Sequence, residues 1–94
     1  MTGTDPRTGA LAGPTIGEQA AQALRNCEAV LREAGASLDG VVEVQALLAR
    51  PGDFDAFNEA WASVFPSDPP TRSVARLGVE LPGVLVSIRL VAAA

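Results

Sequence analysis

A chain of 94 residues is long enough for one domain with a single modest core and little stability to spare. Seven arginines against eleven acidic residues give a net charge of −4, the wrong sign for a nucleic-acid binder, whose phosphates demand cations. With no histidine and Cys27 as the one cysteine, the sequence excludes Ser-His-Asp and Cys-His nucleophilic sites, the usual zinc sites and an intrachain disulfide.

The chain opens on a polar stretch without a secretory pattern, in which residues 4–9 read as a turn punctuated by Pro6 and Gly9. Thr15 and Glu18 have capping-box spacing, so a helix is expected from there. Ile16, Ala20, Ala23, Leu24, Cys27, Val30, Leu31 and Ala34 recur at helical period, and Gly35 suits the position after its end. Cys27 lies on that stripe and reads as a core thiol. Residues 41–49 form a strand with Val42, Val44, Ala46 and Leu48 on one face, ended by Arg50, Pro51 and Gly52. Asp53 is the expected N-cap of a second helix, whose apolar side carries Phe57, Ala60, Trp61, Val64 and Phe65. A stiff connector at residues 66–70 leads to two strands, 73–80 and 84–91, joined at Leu81, Pro82 and Gly83. The order is α-β-α-β-β: an α+β fold in which two helices cover one face of an antiparallel-rich sheet. Residues 84–94 are too short to span a bilayer and are broken by Ser87 and Arg89, so a cytoplasmic protein with no membrane partner is expected.

Arg72 stands out. It follows Pro69 and Pro70, which preset the backbone, and its planar fork of donors fits a carboxylate in bidentate fashion. Strand alternation puts Arg72, Val74 and Arg76 on one face, and Leu85, Ser87, Arg89 and Val91 on the outer face of the last strand. If the Arg72 face is also turned from the helices, three arginines and a serine gather on the uncovered side. That surface is either an ordinary solvated face or a polar surface for assembly and anion binding.

Four stretches carry a resemblance. They are Asp5-Pro6-Arg7-Thr8-Gly9, Gln22-Ala23-Leu24-Arg25-Asn26, Gly52-Asp53-Phe54-Asp55-Ala56-Phe57-Asn58, and Phe65-Pro66 with Pro70-Thr71-Arg72-Ser73 and Leu81-Pro82 beyond. In order and spacing the chain from Thr4 onward resembles the Rid family, also called YjgF or L-PSP-like proteins. The resemblance implies a chorismate-mutase-like α+β fold for a single domain over residues 1–94, and homotrimers with sites in clefts between subunits. It also implies hydrolysis of small 2-imino or 2-enamino acids to 2-keto acids and ammonia, without metal or organic cofactor. Arg72 matches the family arginine that grips the substrate carboxylate, and Asn58 matches an asparagine placed near the neighbouring subunit's cleft. Family members have also been labelled endoribonucleases, for which the acidic charge gives no support.

Three departures bear on the chemistry. The resemblance implies two further strands ahead of the opening turn, which this sequence lacks, so an unpaired sheet edge and a missing pocket wall are expected. Val74 stands where the deaminase branch often has a cysteine beside the substrate. Ser87 takes the place of a water-orienting glutamate, and a serine is a far poorer proton acceptor. Arg89 likewise occupies an often acidic position. The expected site is therefore Arg72, Asn58 and Val74 for binding and Ser87 for catalysis, in an imine deaminase. The alternative is a non-catalytic trimeric binder of small carboxylates.

Overall fold

Thr15 caps the first helix, and Glu18 turns back onto its hydroxyl. Thr15 Oγ1 accepts from the Glu18 N–H at 3.2 Å and donates to the Glu18 carboxylate at 2.7 Å, starting α1 (Ile16–Glu33). Gly35, at φ +77°, ends it in a Schellman turn: Ala36 N–H reaches the Leu31 carbonyl at 2.8 Å and Gly35 N–H that of Arg32 at 3.1 Å. The computed structural model, which describes residues 1–93, continues with β1 (Val41–Leu48), α2 (Phe54–Val64), β2 (Thr71–Arg76) and β3 (Val86–Ala92). The expected α-β-α-β-β order and the α+β class both hold, with the two helices on one face of the sheet.

The sheet departs from expectation in its pairing. Its order is β2-β1-β3, so β1 is central, parallel to β2 and antiparallel to β3. The last two strands do not form a hairpin. Their connector, residues 77–85, is long enough to carry the chain across β1 to the opposite edge, and both strands stop short of it. Three rows lie on the covered face: Arg72, Val44 and Leu90; Val74, Ala46 and Ile88; Arg76, Leu48 and Val86. Three lie on the open face: Thr71, Glu43 and Val91; Ser73, Gln45 and Arg89; Ala75, Leu47 and Ser87.

Val42 was expected inside but is 55% exposed, whereas Val41 is buried. A register shift between Val41 and Glu43 inserts one residue and reverses the alternation at the start of β1. Asp53 does not cap α2 through its side chain. It ends a 3-10 turn (Pro51–Asp53), and Arg50 holds its carboxylate, with Nε at 2.9 Å and Nη2 at 3.2 Å.

The core joins Leu24 and Cys27 of α1, Val44 and Ala46 of β1, Phe57 of α2, and Val86 and Ile88 of β3. One polar side chain is buried among them. Gln19 donates to the Gly13 carbonyl at 3.0 Å and the Gly83 carbonyl at 2.8 Å, and accepts from Leu85 N–H at 2.8 Å. It thereby ties α1 to the end of the long connector, where β3 begins. Gly3 lies against the α1 backbone at Gln19, whose carbonyl oxygen leaves no room for a Cβ there. Asn26 holds the same segment by donating to the Thr2 and Thr4 carbonyls at 3.2 and 2.7 Å.

The outer edge of β3 is partly open. Met1 and Ile88 exchange two backbone hydrogen bonds at 2.7 Å, and Thr2 bridges to Ser87. Beyond them a groove of about 590 Å³ runs between α1 and β3, past Cys27, Val30 and Ala34. Val30 and Ala34, expected in the core, are exposed because they flank this groove.

Candidate functional site

Arg72 lies on the covered face, in register with Val44, and not on the open one. The parallel pairing of β2 with β1 fixes this, because Val44 faces the helices. β2 is an edge strand, so α2 covers it only in part and Arg72 is half-buried. Its guanidinium carbon sits 5.1 Å from the centre of the Trp61 ring, 5.8 Å from that of Phe57 and 5.9 Å from that of Phe54. Aromatic faces attract a cation and at the same time shelter the arginine stem. Behind them, Trp61 packs on Phe65 with centroids 4.6 Å apart, which fixes the indole in turn.

The electrostatics are unusual for a sheltered charge. The ion pairs among the described residues join Arg7 to Asp5, Arg32 to Glu28 and Arg50 to Asp53, and none of them involves Arg72. Arg72 Nη1 is buried without a hydrogen-bond partner. A buried donor in that state costs free energy until it finds a partner.

Two of the other expected residues lie close by. Asn58 is half-buried on α2, four residues after Phe54 and three before Trp61, so it shares their side of the helix. Its Oδ1 is buried and, like Arg72 Nη1, has no partner. Val74 is the next residue on the Arg72 face of β2, opposite Ala46, and lines a cleft of about 390 Å³ with Leu48, Pro51, Phe54, Ala75 and Arg76.

Ser87 does not join them. It lies on β3, across β1, in the open-face row with Leu47 and Ala75. Arg89 is on that open face and Arg76 is on the covered one, so the expected gathering of three arginines and a serine does not occur within one chain. Arg72 and Ser87 thus lie on opposite faces of the sheet, on its two outer strands. Among the described residues no group of three or more His, Cys, Asp or Glu side chains is placed to hold a metal ion. Burial pushes the Cys27 thiol above its ordinary range, as suits a core residue.

The aromatic clamp on Arg72 went unread in the sequence. Phe54, Phe57 and Trp61 have helical spacing, and that pattern is the same for a core stripe as for a cradle under an arginine. The one usable signal is an arginine directly after two prolines, at the start of the strand that follows an aromatic helix.

Comparison with known proteins places the whole molecule. The family model described as endoribonuclease L-PSP matches residues 1–94. The chain belongs to the L-PSP, or Rid, family. Among curated relatives, the human 2-iminobutanoate/2-iminopropanoate deaminase is 34% identical over 90 residues, covering 96% of this chain and 66% of that protein. The mitochondrial protein mmf1 of Schizosaccharomyces pombe is 38% identical over 81 residues, covering 83% of this chain and 50% of that protein. This Rid chain therefore spans between half and two thirds of these relatives' length. A solved Rid-family structure from Yersinia pestis, whose function is unknown, superposes with a TM-score of 0.92 at 28% identity, over 100% of this chain and 75% of that one. The Rid fold expected from the sequence is thus the observed one.

Proposed function

We propose that this chain supplies the carboxylate-binding half of an imine deaminase site, hydrolysing small 2-imino or 2-enamino acids to 2-keto acids and ammonia. The observation that carries this reading is Arg72: a half-buried guanidinium held by three aromatic rings, with no ion-pair partner and one buried donor unpaired. Cation–π contacts do not consume the N–H donors, so the guanidinium keeps its capacity to fork a carboxylate. The relatives named as 2-iminobutanoate/2-iminopropanoate deaminases supply the substrate class.

The chemistry asks little of the protein. An imine carbon is already electrophilic; water adds to it, the carbon–nitrogen bond breaks, and R–C(=NH)–COO⁻ with H₂O becomes R–C(=O)–COO⁻ with NH₃. Arg72 holds the carboxylate and fixes the orientation of the reacting carbon. Asn58 Oδ1, an unpaired acceptor, suits the imine N–H, and Val74 packs against the substrate's apolar part. In this reading Ser87 orients the water from a second copy. The open face, with Val42 and Val91 exposed, is then the surface buried in a homotrimer. The reaction as written uses no cofactor. No helix among the described residues is long and apolar enough to cross a membrane.

Replacing Arg72 by alanine or lysine should abolish turnover of 2-iminobutanoate, because lysine lacks the bidentate fork; unchanged turnover in either variant would refute the assignment. The separation of Ser87 from Arg72 favours a second reading, a non-catalytic trimeric binder of small carboxylates. Binding of 2-ketobutyrate that depends on Arg72, with imine lifetimes unaffected, would establish that reading instead.

A further inference from the structure

Phe54 belongs to two features at once. Its ring is one of the three around Arg72, at 5.9 Å, and it also walls the cleft formed with Leu48, Pro51, Val74, Ala75 and Arg76. All of these walls are apolar except Arg76, which is exposed, so its stem can line the cleft while its charged head stays in water. Val74 follows Arg72 on the same face of β2, about 7 Å further along the strand. A molecule anchored at Arg72 by its carboxylate thus has a continuous apolar path beside the anchor, from Phe54 over Val74 to Leu48 and Pro51. The two-carbon side chain of 2-iminobutanoate covers little of that path and leaves most of the roughly 390 Å³ to water. A branched four-carbon side chain reaches Val74 and Phe54 and clears water from apolar walls, which is favourable.

We infer that this cleft takes the aliphatic side chain of the substrate, so that 2-imino acids with branched or long aliphatic side chains are preferred over 2-iminobutanoate. The inference rests on Arg72 being the carboxylate anchor. Each methylene accommodated in an apolar pocket is worth about tenfold or more in discrimination.

The test generates 2-iminobutanoate and 2-imino-4-methylpentanoate in situ, each from its amino acid with an amino acid oxidase, and compares kcat/KM for the wild-type chain. The expected ratio is about tenfold or more in favour of the longer substrate. Val74→Phe, which fills the cleft, should collapse that ratio towards one; Val74→Met does so in part and serves if the phenylalanine variant fails to fold. Binding of 4-methyl-2-oxopentanoate against 2-ketobutyrate, followed by emission of Trp61, the single tryptophan, should give the same order without turnover. An equal or reversed ratio would overturn the inference, as would a preference for 2-iminoglutarate over both or a ratio unmoved in the Val74 variants. If neither keto acid binds and neither imine is consumed, the reading of Arg72 as anchor is what fails.

Discussion

Replacing Gln19 by leucine tests whether one buried amide holds the end of the connector and the start of β3 in place. Gln19 is 1% exposed and makes three hydrogen bonds, two donated to the carbonyls of Gly13 and Gly83 and one accepted from Leu85 N–H. Leucine fills similar space, so the cost falls on the three backbone groups left behind. A buried group without its partner costs about 1–3 kcal/mol. Leu85 is half-buried and bears that cost, whereas Gly83 is exposed and Gly13 half-buried, so water re-solvates much of their share. Leucine also returns something by burying apolar rather than polar atoms. The net loss is about 2 kcal/mol, and at roughly 4–8 °C per kcal/mol for a domain of this size the Tm falls by about 8–16 °C. Thermal melting by circular dichroism, paired with a urea midpoint at unchanged slope, measures it. A Tm within about 4 °C of the wild type would refute the reasoning, because the connector would then be held by something other than this clamp.

Two further outcomes follow from the site and the core. Trp61→Leu removes the ring nearest the Arg72 guanidinium and should raise KM by about tenfold with kcat largely kept, the signature of lost uniform binding. Trp61→Phe restores a ring and most of the affinity; a fall in kcat with KM unmoved would mark a loss of folded protein instead. For Cys27, alkylation by iodoacetamide at pH 8 should be slow in the native protein and rapid in denaturant, since burial both shields the thiol and holds its pKa up. Native reactivity matching a free thiol would refute its placement in the core.

What could be read from the sequence was local or carried by several motifs together. The Thr15 cap with Glu18 and the Gly35 turn needed only residues three or four apart, and both are present. The four motif stretches together point to the Rid family. Long-range pairing was not legible. Alternation showed that Arg72, Val74 and Arg76 share a face but not which face, since that depends on β2 lying parallel to β1 with Arg72 opposite Val44. The β1 bulge defeated the placement of Val42 because one inserted residue leaves no mark in composition. Asp53 looked like a cap, but Arg50 three residues earlier competes for its carboxylate. Gln19 fell outside the apolar stripe by residue type, although its position faces the core and its three partners lie on distant loops.

The strand order also constrains when the chain can fold. β1 needs neighbours on both sides, and one of them, β3, follows every other described element in chain order. Gln19 waits for Leu85, 66 residues later, and Met1 for Ile88, 87 residues later. While the chain emerges from the ribosome, α1 and β1 therefore have no completed sheet to pack on. β1 can pair with β2 and α1 can pack on α2 first, but the sheet is complete only once β3 has emerged, and that closure is slowed by the long loops it must draw together. Until β3 docks, the surface it covers on β1 and α1 is open to aggregation, and a truncation that removes β3 should leave it so.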